Sequence, residues 1–258
     1  MEVRLDGRVA LVTGGSTGLG LAIAVRMAAS GADVAMLARR VDVLDEARAT
    51  VAATARGRVH VVSCDVSRAD EVTRAHREVV RTLGPVDILV NNAGTSQVGA
   101  FASITDEVWQ ADLDLKLFAA IRLARLAWPG MAERRWGRIV NVLNSLAKAP
   151  KAGTAPTAVS RAAGLALTKV LAGEGAVSNI LVNALLVGLI ESDQWVRRAR
   201  QEGQPYEALL AGMAAGIPLG RVGTAEEFAN VACFLASDLA GYVTGTAVNV
   251  DGNLCPVT

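Results

Sequence analysis

Seven short apolar runs punctuate the chain: "RVALVTG", "DVAMLA", "RVHVVSC", "VDILVNN", "GRIVNVL", "ILVNALL" and "TAVNVDG". They are apolar at consecutive positions instead of alternating ones, which is the pattern of strands covered on both faces. The Ala-, Leu- and Arg-rich segments between them are long enough for crossover helices. An α/β fold is expected, a doubly wound three-layer sandwich around a seven-stranded parallel sheet. Helix starts are signalled by Ser67 ahead of "RADEVTRAHREVVRTLG" and by Thr224 ahead of "AEEFANVACFLAS", with Glu227 at the capping-box position. Only residues 190–217 break the rhythm, with a polar, Arg-rich amphipathic stretch containing Trp195, Pro205 and Tyr206. It reads either as a substrate lid inserted between the sixth and seventh strands or as a pair of solvated surface helices.

Composition narrows the class. The chain has 258 residues, 52% hydrophobic and 20% charged, enough for a sizeable core, and no repeat or linker divides it, so residues 1–258 are expected to form one domain. A formal charge of +1 without a basic run supplies no long-range field for nucleic acid or an anionic membrane, and a small-molecule substrate is the expected partner. No apolar run approaches the roughly 20 residues of a membrane span. The N-terminus leads straight into the first strand, without signal-peptide features. Cys64, Cys233 and Cys255 are far apart and odd in number, which fits a reduced, cytoplasmic location. Neither they nor His60 and His76 have metal-ligand spacing, so no metal is expected.

Chemistry enters at "VTGGSTGLG", which leaves the first strand and opens a helix with Gly14, Gly18 and Gly20. Glycines here let backbone N–H groups of Ser16, Thr17, Gly18 and Leu19 approach a pyrophosphate, which the helix N-terminus then stabilises. The architecture is therefore of the Rossmann type. At the end of the second strand an acidic residue would bind ribose hydroxyls and repel a 2′-phosphate. Here the residues are Ala38, Arg39 and Arg40, two guanidiniums suited to charge-assisted contacts with that phosphate. NADP is the expected cofactor, ahead of NAD.

The G-x-x-x-G-x-G spacing, "CDV" after the third strand, "NNAG" after the fourth and "PLGRVGTAEEFANVACFLASDLAGYVTGTAVNVDGN" near the end together resemble the short-chain dehydrogenase/reductase family over roughly residues 5–253. The resemblance implies cofactor contacts from Asp65 and Val66 near the adenine, from Asn91, Ala93 and Gly94 near its ribose, and from Gly188 and the Ile190 backbone at the nicotinamide. It also implies a homotetramer, or a homodimer, built on the fourth and fifth helices and the closing strand.

The same resemblance fails at the catalytic positions. Family members carry an Asn, a Ser, and a Tyr and Lys one helical turn apart; aligned on them, this chain has Lys116, Asn144 (with Ser145 beside it), Thr157 and Arg161. An aliphatic hydroxyl is no phenol, and an Arg with a pKa near 13 gives up no proton. Arg161 is left as a positioning group near the ribose, and Lys116 as the candidate general acid, its pKa lowered by Arg161. Lys116 can equally pair with Asp112, one turn earlier. Three readings stay open. The first is an NADP(H)-dependent ketoreductase acting on a hydrophobic or aromatic carbonyl compound, its proton coming from Lys116 or from water held by Asn144, Ser145 and Thr157. The others are an NADP(H)-binding protein without redox activity and a lyase or isomerase in a rebuilt pocket. Arg197 and Arg198 leave room for an acidic substrate.

Overall fold

The computed structural model describes residues 2–257 and arranges the seven apolar runs in one parallel sheet. The strands are β1 (Val9–Thr13), β2 (Asp33–Ala38), β3 (Val59–Ser63), β4 (Ile88–Asn91), β5 (Gly137–Asn144), β6 (Ile180–Val187) and β7 (Ala247–Val250). Their order is β3-β2-β1-β4-β5-β6-β7, so the chain winds one way from β1 and the other way from β4. The crevice of a doubly wound sheet opens at that switch, outside the carboxyl ends of β1 and β4.

Successive strand residues feed opposite layers, as a period of two requires. Ala10, Val12, Val34 and Met36 pack with Ile23 and Met27 of α1 (Gly18–Ala29), Leu44 of α2 (Val41–Ala52) and, further along the chain, Phe228. Leu11, Leu37 and Leu89 pack against the opposite layer, where Val72 and Val79 of α3 (Ala69–Leu83) are joined by Leu123. Burial on both faces is why β1 is buried throughout and β5 and β6 are buried except at their last residues.

The α3 start differs from the sequence expectation: Arg68, not Ser67, occupies the cap position. Asp65 explains the change, since its Oδ1 accepts from the Ser67 backbone N–H at 3.0 Å and from the Ser67 hydroxyl at 2.7 Å, an Asx turn that uses both groups before the helix begins.

Beyond β4, helix α4 (Asp106–Leu113) runs through a π turn, Asp114–Phe118, into α5 (Ala119–Arg134). The widened turn carries Lys116. A two-residue ribbon pairs Val98–Gly99 with Ala155–Pro156 and leads into α6 (Thr157–Gly175). After β6 the polar stretch folds as α7 (Asp193–Glu202) and α8 (Tyr206–Ala214). The Trp195 indole donates to the Ile190 carbonyl at 2.8 Å and so fixes the base of α7. The side chain of Arg197 lies outside the described residues. The last helix, α9 (Ala225–Leu235), begins with the expected capping box between Thr224 and Glu227. No helix among the described residues is long and apolar enough to cross a membrane.

Candidate functional site

The Gly-rich turn is shaped by contacts that exclude side chains. Gly14 has φ +62°, and a Cβ on Gly20 would lie 2.1 Å from the Gly14 carbonyl oxygen. Thr13 and Asn92 tie this turn to the end of β4. The Asn92 side-chain amide donates to the carbonyls of Thr13 at 2.9 Å and Gly14 at 3.2 Å, while the Thr13 hydroxyl accepts from the N–H groups of Asn92 and Ala93. Thr17 makes no side-chain cap, and the first turn of α1 holds no acidic residue. Its leading N–H groups thus face the crevice without an internal acceptor or a competing carboxylate, the arrangement that suits an anion.

Other residues of this half take defined places. Arg39 and Arg40 are exposed at the end of β2, and neither guanidinium has a partner among the described residues. Asp65 is half-buried with one carboxylate oxygen held by Ser67, and Val66 is buried in the core. Asn91 turns its side chain along the sheet to Asn141 at 2.8 Å, leaving its own carbonyl oxygen buried without a partner. Gly188 is needed by the closing strand, since a Cβ there would lie 2.5 Å from Asp251. The Ile190 carbonyl is already taken by Trp195, so only its N–H remains for a ligand.

The four catalytic candidates converge near the carboxyl ends of β4 and β5. Lys116 Nζ donates to Asp112 Oδ1 and, at 2.8 Å, to Thr157 Oγ1. Thr157 gives its only hydroxyl hydrogen to the Gln97 carbonyl at 2.7 Å, and its oxygen accepts from the Gln97 N–H at 2.9 Å. Ser160 donates to the second Asp112 oxygen at 2.6 Å. This cluster is buried: the Lys116 side chain is 1% exposed and that of Asp112 2%. Burial is the main influence lowering the Lys116 pKa, the bond and charge of Asp112 oppose it, and Arg161 adds a smaller lowering. Repulsion by Arg161, the cause expected from the sequence, is thus the lesser one.

Arg161 donates to the Val142 carbonyl at 2.6 Å, while its Nε is buried without a partner. Its pKa is pulled down to about 10 by burial. A Cβ on Gly94 would lie 2.6 Å from the Arg161 guanidinium, so the "NNAG" turn and α6 meet over this charge. Asn144 has its Oδ1 buried and unpartnered, and Ser145 lies beside it, half-buried. Lys148 is tethered to the Ala247 carbonyl and Asn249 side chain of β7. His60 faces Glu78 at 3.3 Å on the β3 side of the fold. Among the described residues no group of three or more His, Cys, Asp and Glu can hold a metal ion.

The family profile described as Enoyl-(Acyl carrier protein) reductase matches residues 14–254. The chain belongs to the short-chain dehydrogenase/reductase family. Within that family it is 36% identical to an acetoacetyl-CoA reductase of Shinella zoogloeoides over 245 residues, covering 95% of this chain and 97% of that protein. The L-sorbose reductase of Gluconobacter frateurii, solved with NADPH and L-sorbose, superposes with a TM-score of 0.96 at 35% identity, covering all of both chains. An NADPH-bound short-chain oxidoreductase of Pseudomonas aeruginosa PAO1, described as containing an atypical catalytic center, superposes with a TM-score of 0.92 at 38% identity over 99% of each chain.

For a short-chain dehydrogenase/reductase chain the motif positions were legible, but their supports were not. Thr13, Asn92, Gln97, Asp112 and Ser160 build the site; Thr13 and Asn92 fall inside the quoted motifs and Asp112 has its i, i+4 spacing to Lys116, but Gln97 and Ser160 carry no local signal. The π turn that directs Lys116 toward α6 has no sequence signature we recognise.

Proposed function

We propose that this chain is an NADP(H)-dependent ketoreductase acting on a hydrophobic or aromatic carbonyl compound, with Lys116 as proton donor in place of the tyrosine and lysine other family members use. The first turn of α1, free of acidic residues, supports the pyrophosphate site, and unpartnered Arg39 and Arg40 beside Ala38 support the 2′-phosphate. NADPH-bound neighbours in the family agree with that choice. Gly14, Ser16, Thr17, Gly18, Leu19, Gly20, Asp65, Val66, Asn91, Ala93, Gly94, Gly188 and Ile190 would line the remainder of the dinucleotide, and Arg161 would hold its ribose. When bound, NADPH supplies a hydride.

The observation that carries the proton assignment is a count of hydrogens. Thr157 has spent its hydroxyl hydrogen on Gln97, and Ser160 directs its own to Asp112 or to the Thr157 carbonyl. An ammonium has three hydrogens and Lys116 has committed two, one to Asp112 and one to Thr157. The third is the one hydrogen of this cluster left for a carbonyl oxygen, directly or through a water. Asn144 and Ser145 would orient that oxygen. Lys116 then passes the proton and is recharged from solvent once product leaves. General acid catalysis of this kind contributes roughly 10² to 10⁴ in rate.

The near-complete cover of Lys116 favours one alternative, an NADP(H)-binding protein without redox turnover. Absorbance of reduced nicotinamide, followed with a panel of aryl ketones, aliphatic ketones and quinones, separates the two. Carbonyl-dependent loss of NADPH supports the reductase; tight NADPH binding with no loss across the panel supports the alternative. The α7–α8 pair would act as a lid over the substrate, and a homotetramer, as in the family, is the proposed assembly.

A further inference from the structure

The geometry points to Asp112, gripped by Ser160, as the positioning residue that fixes where the Lys116 ammonium sits and keeps it an ammonium. This rests on the reading of Lys116 as proton donor, but it can be read out without turnover. Asp112 has both carboxylate oxygens engaged, Oδ1 by Lys116 and Oδ2 by the Ser160 hydroxyl at 2.6 Å. The two partners come from different elements, Lys116 from the π turn and Ser160 from α6. The carboxylate is therefore pinned between two elements instead of following Lys116 along one helix face. With Thr157 Oγ1 as the second acceptor, two bonds stop rotation of the ammonium and fix the direction of its last hydrogen.

The charges facing Lys116 make this clamp necessary. Asp112 and Arg161 are the charged groups acting on it, and the "NNAG" turn contributes only the Gly94 backbone near its side chain. Burial and Arg161 both drive the amine toward its neutral form, and Asp112 alone opposes them. Without Asp112 the amine would shed its proton before a carbonyl could receive it. Ser160 has no role in the reaction itself; it holds the carboxylate in place.

The sequence makes a direct test practical, because 22 of the 26 basic residues are Arg and the only lysines are Lys116, Lys148, Lys151 and Lys169. Protein labelled with ¹³C at the lysine ε carbon gives four signals, and Lys116→Arg assigns one of them. In the wild type the Lys116 signal should titrate below the usual lysine range. Asp112→Asn should lower that midpoint by about one pH unit or more, and Ser160→Ala should move it the same way by about half as much. The alkaline limb of kcat should move in parallel while NADPH affinity stays within about two-fold. A Lys116 midpoint unchanged in Asp112→Asn overturns the proposal. Should that variant fail to fold, Ser160→Ala decides it, and a midpoint indistinguishable from wild type is then the contrary result. Shifted midpoints in a protein that fails to oxidise NADPH with any carbonyl compound of the panel uphold the clamp and sink the reductase reading instead.

Discussion

Thr157 and Gln97 are locked to each other: the threonine hydroxyl donates to the Gln97 carbonyl at 2.7 Å and accepts from the Gln97 N–H at 2.9 Å, with Lys116 donating to the same oxygen. The hydroxyl at the start of α6 is therefore a bracket for the loop and the lysine, with no hydrogen to offer a ligand. Removing it strands the Gln97 N–H and one ammonium hydrogen, while the Gln97 carbonyl keeps the Thr157 backbone N–H at 3.3 Å. Thr157→Val should cost about 1–3 kcal/mol in denaturant unfolding, and Thr157→Ser should retain most of that. Thr157→Tyr, which introduces the residue that the family resemblance implies at this position, meets a site only 2% exposed. It should destabilise the protein and gain no rate, by the same denaturation assay and by NADPH oxidation.

As the proposed proton donor, Lys116 should set the pH dependence. Burial, the largest influence, lowers its pKa, so kcat should fall as pH rises through a midpoint below the usual lysine range, because the donor then loses its proton. Lys116→Met should lower kcat by about 10²-fold or more and abolish that alkaline limb. Lys116→Arg keeps the charge but, with a pKa near 13, should remain slow and show no limb. A Lys116→Met enzyme with the wild-type rate and profile removes the residue from the mechanism.

The two crowded glycines should fail differently. Gly20→Ala presses a Cβ onto the Gly14 backbone carbonyl at 2.1 Å, which cannot move without opening the turn. Loss of dinucleotide binding together with a lower Tm is expected. Gly94→Ala meets the end of the Arg161 side chain at 2.6 Å, which can swing away. Weaker NADPH binding with little change in Tm should follow, read by calorimetry and thermal melts on the same samples.

Arg161 should show a trade of stability against binding. Its pKa falls to about 10 through burial. A base whose folded pKa is depressed binds fewer protons folded than unfolded between the two values, so stability rises with pH across that window. Below about 10 the full burial penalty is present. Arg161→Met removes the penalty at neutral pH while giving up the Val142 bond. Its Tm should equal or exceed that of the wild type, and NADPH affinity should fall about ten-fold or more. A clear drop in Tm would show that the guanidinium holds the fold together.

The sequence made the sheet legible because strands covered on both faces are apolar at most consecutive positions, as in "VALVT", buried throughout; the edge strand "AVNV" is only half-buried and admits Asn249. Thr224 and Glu227 were legible as a cap because both halves of that interaction lie within one turn. Ser67 misled, because Asp65 two residues earlier competed for the same hydroxyl and won. The contacts of Gln97 with Thr157, across 60 residues, and of Ser160 with Asp112, across 48, depend on how helices settle against one another, which no local pattern encodes. The candidate positions could be counted off from the sequence, whereas the hydrogen bonds that decide what each can donate could not.

Every proposed role at this site requires the crevice beside β1 to hold a 2′-phosphorylated nicotinamide dinucleotide. Titration calorimetry with NADPH and then NADH tests this most directly. NADPH should bind at one site per chain, about ten-fold or more tighter than NADH, and Arg39→Ala with Arg40→Ala should bring NADPH down to the NADH affinity. Absence of binding heat and of measurable affinity for either dinucleotide would contradict it.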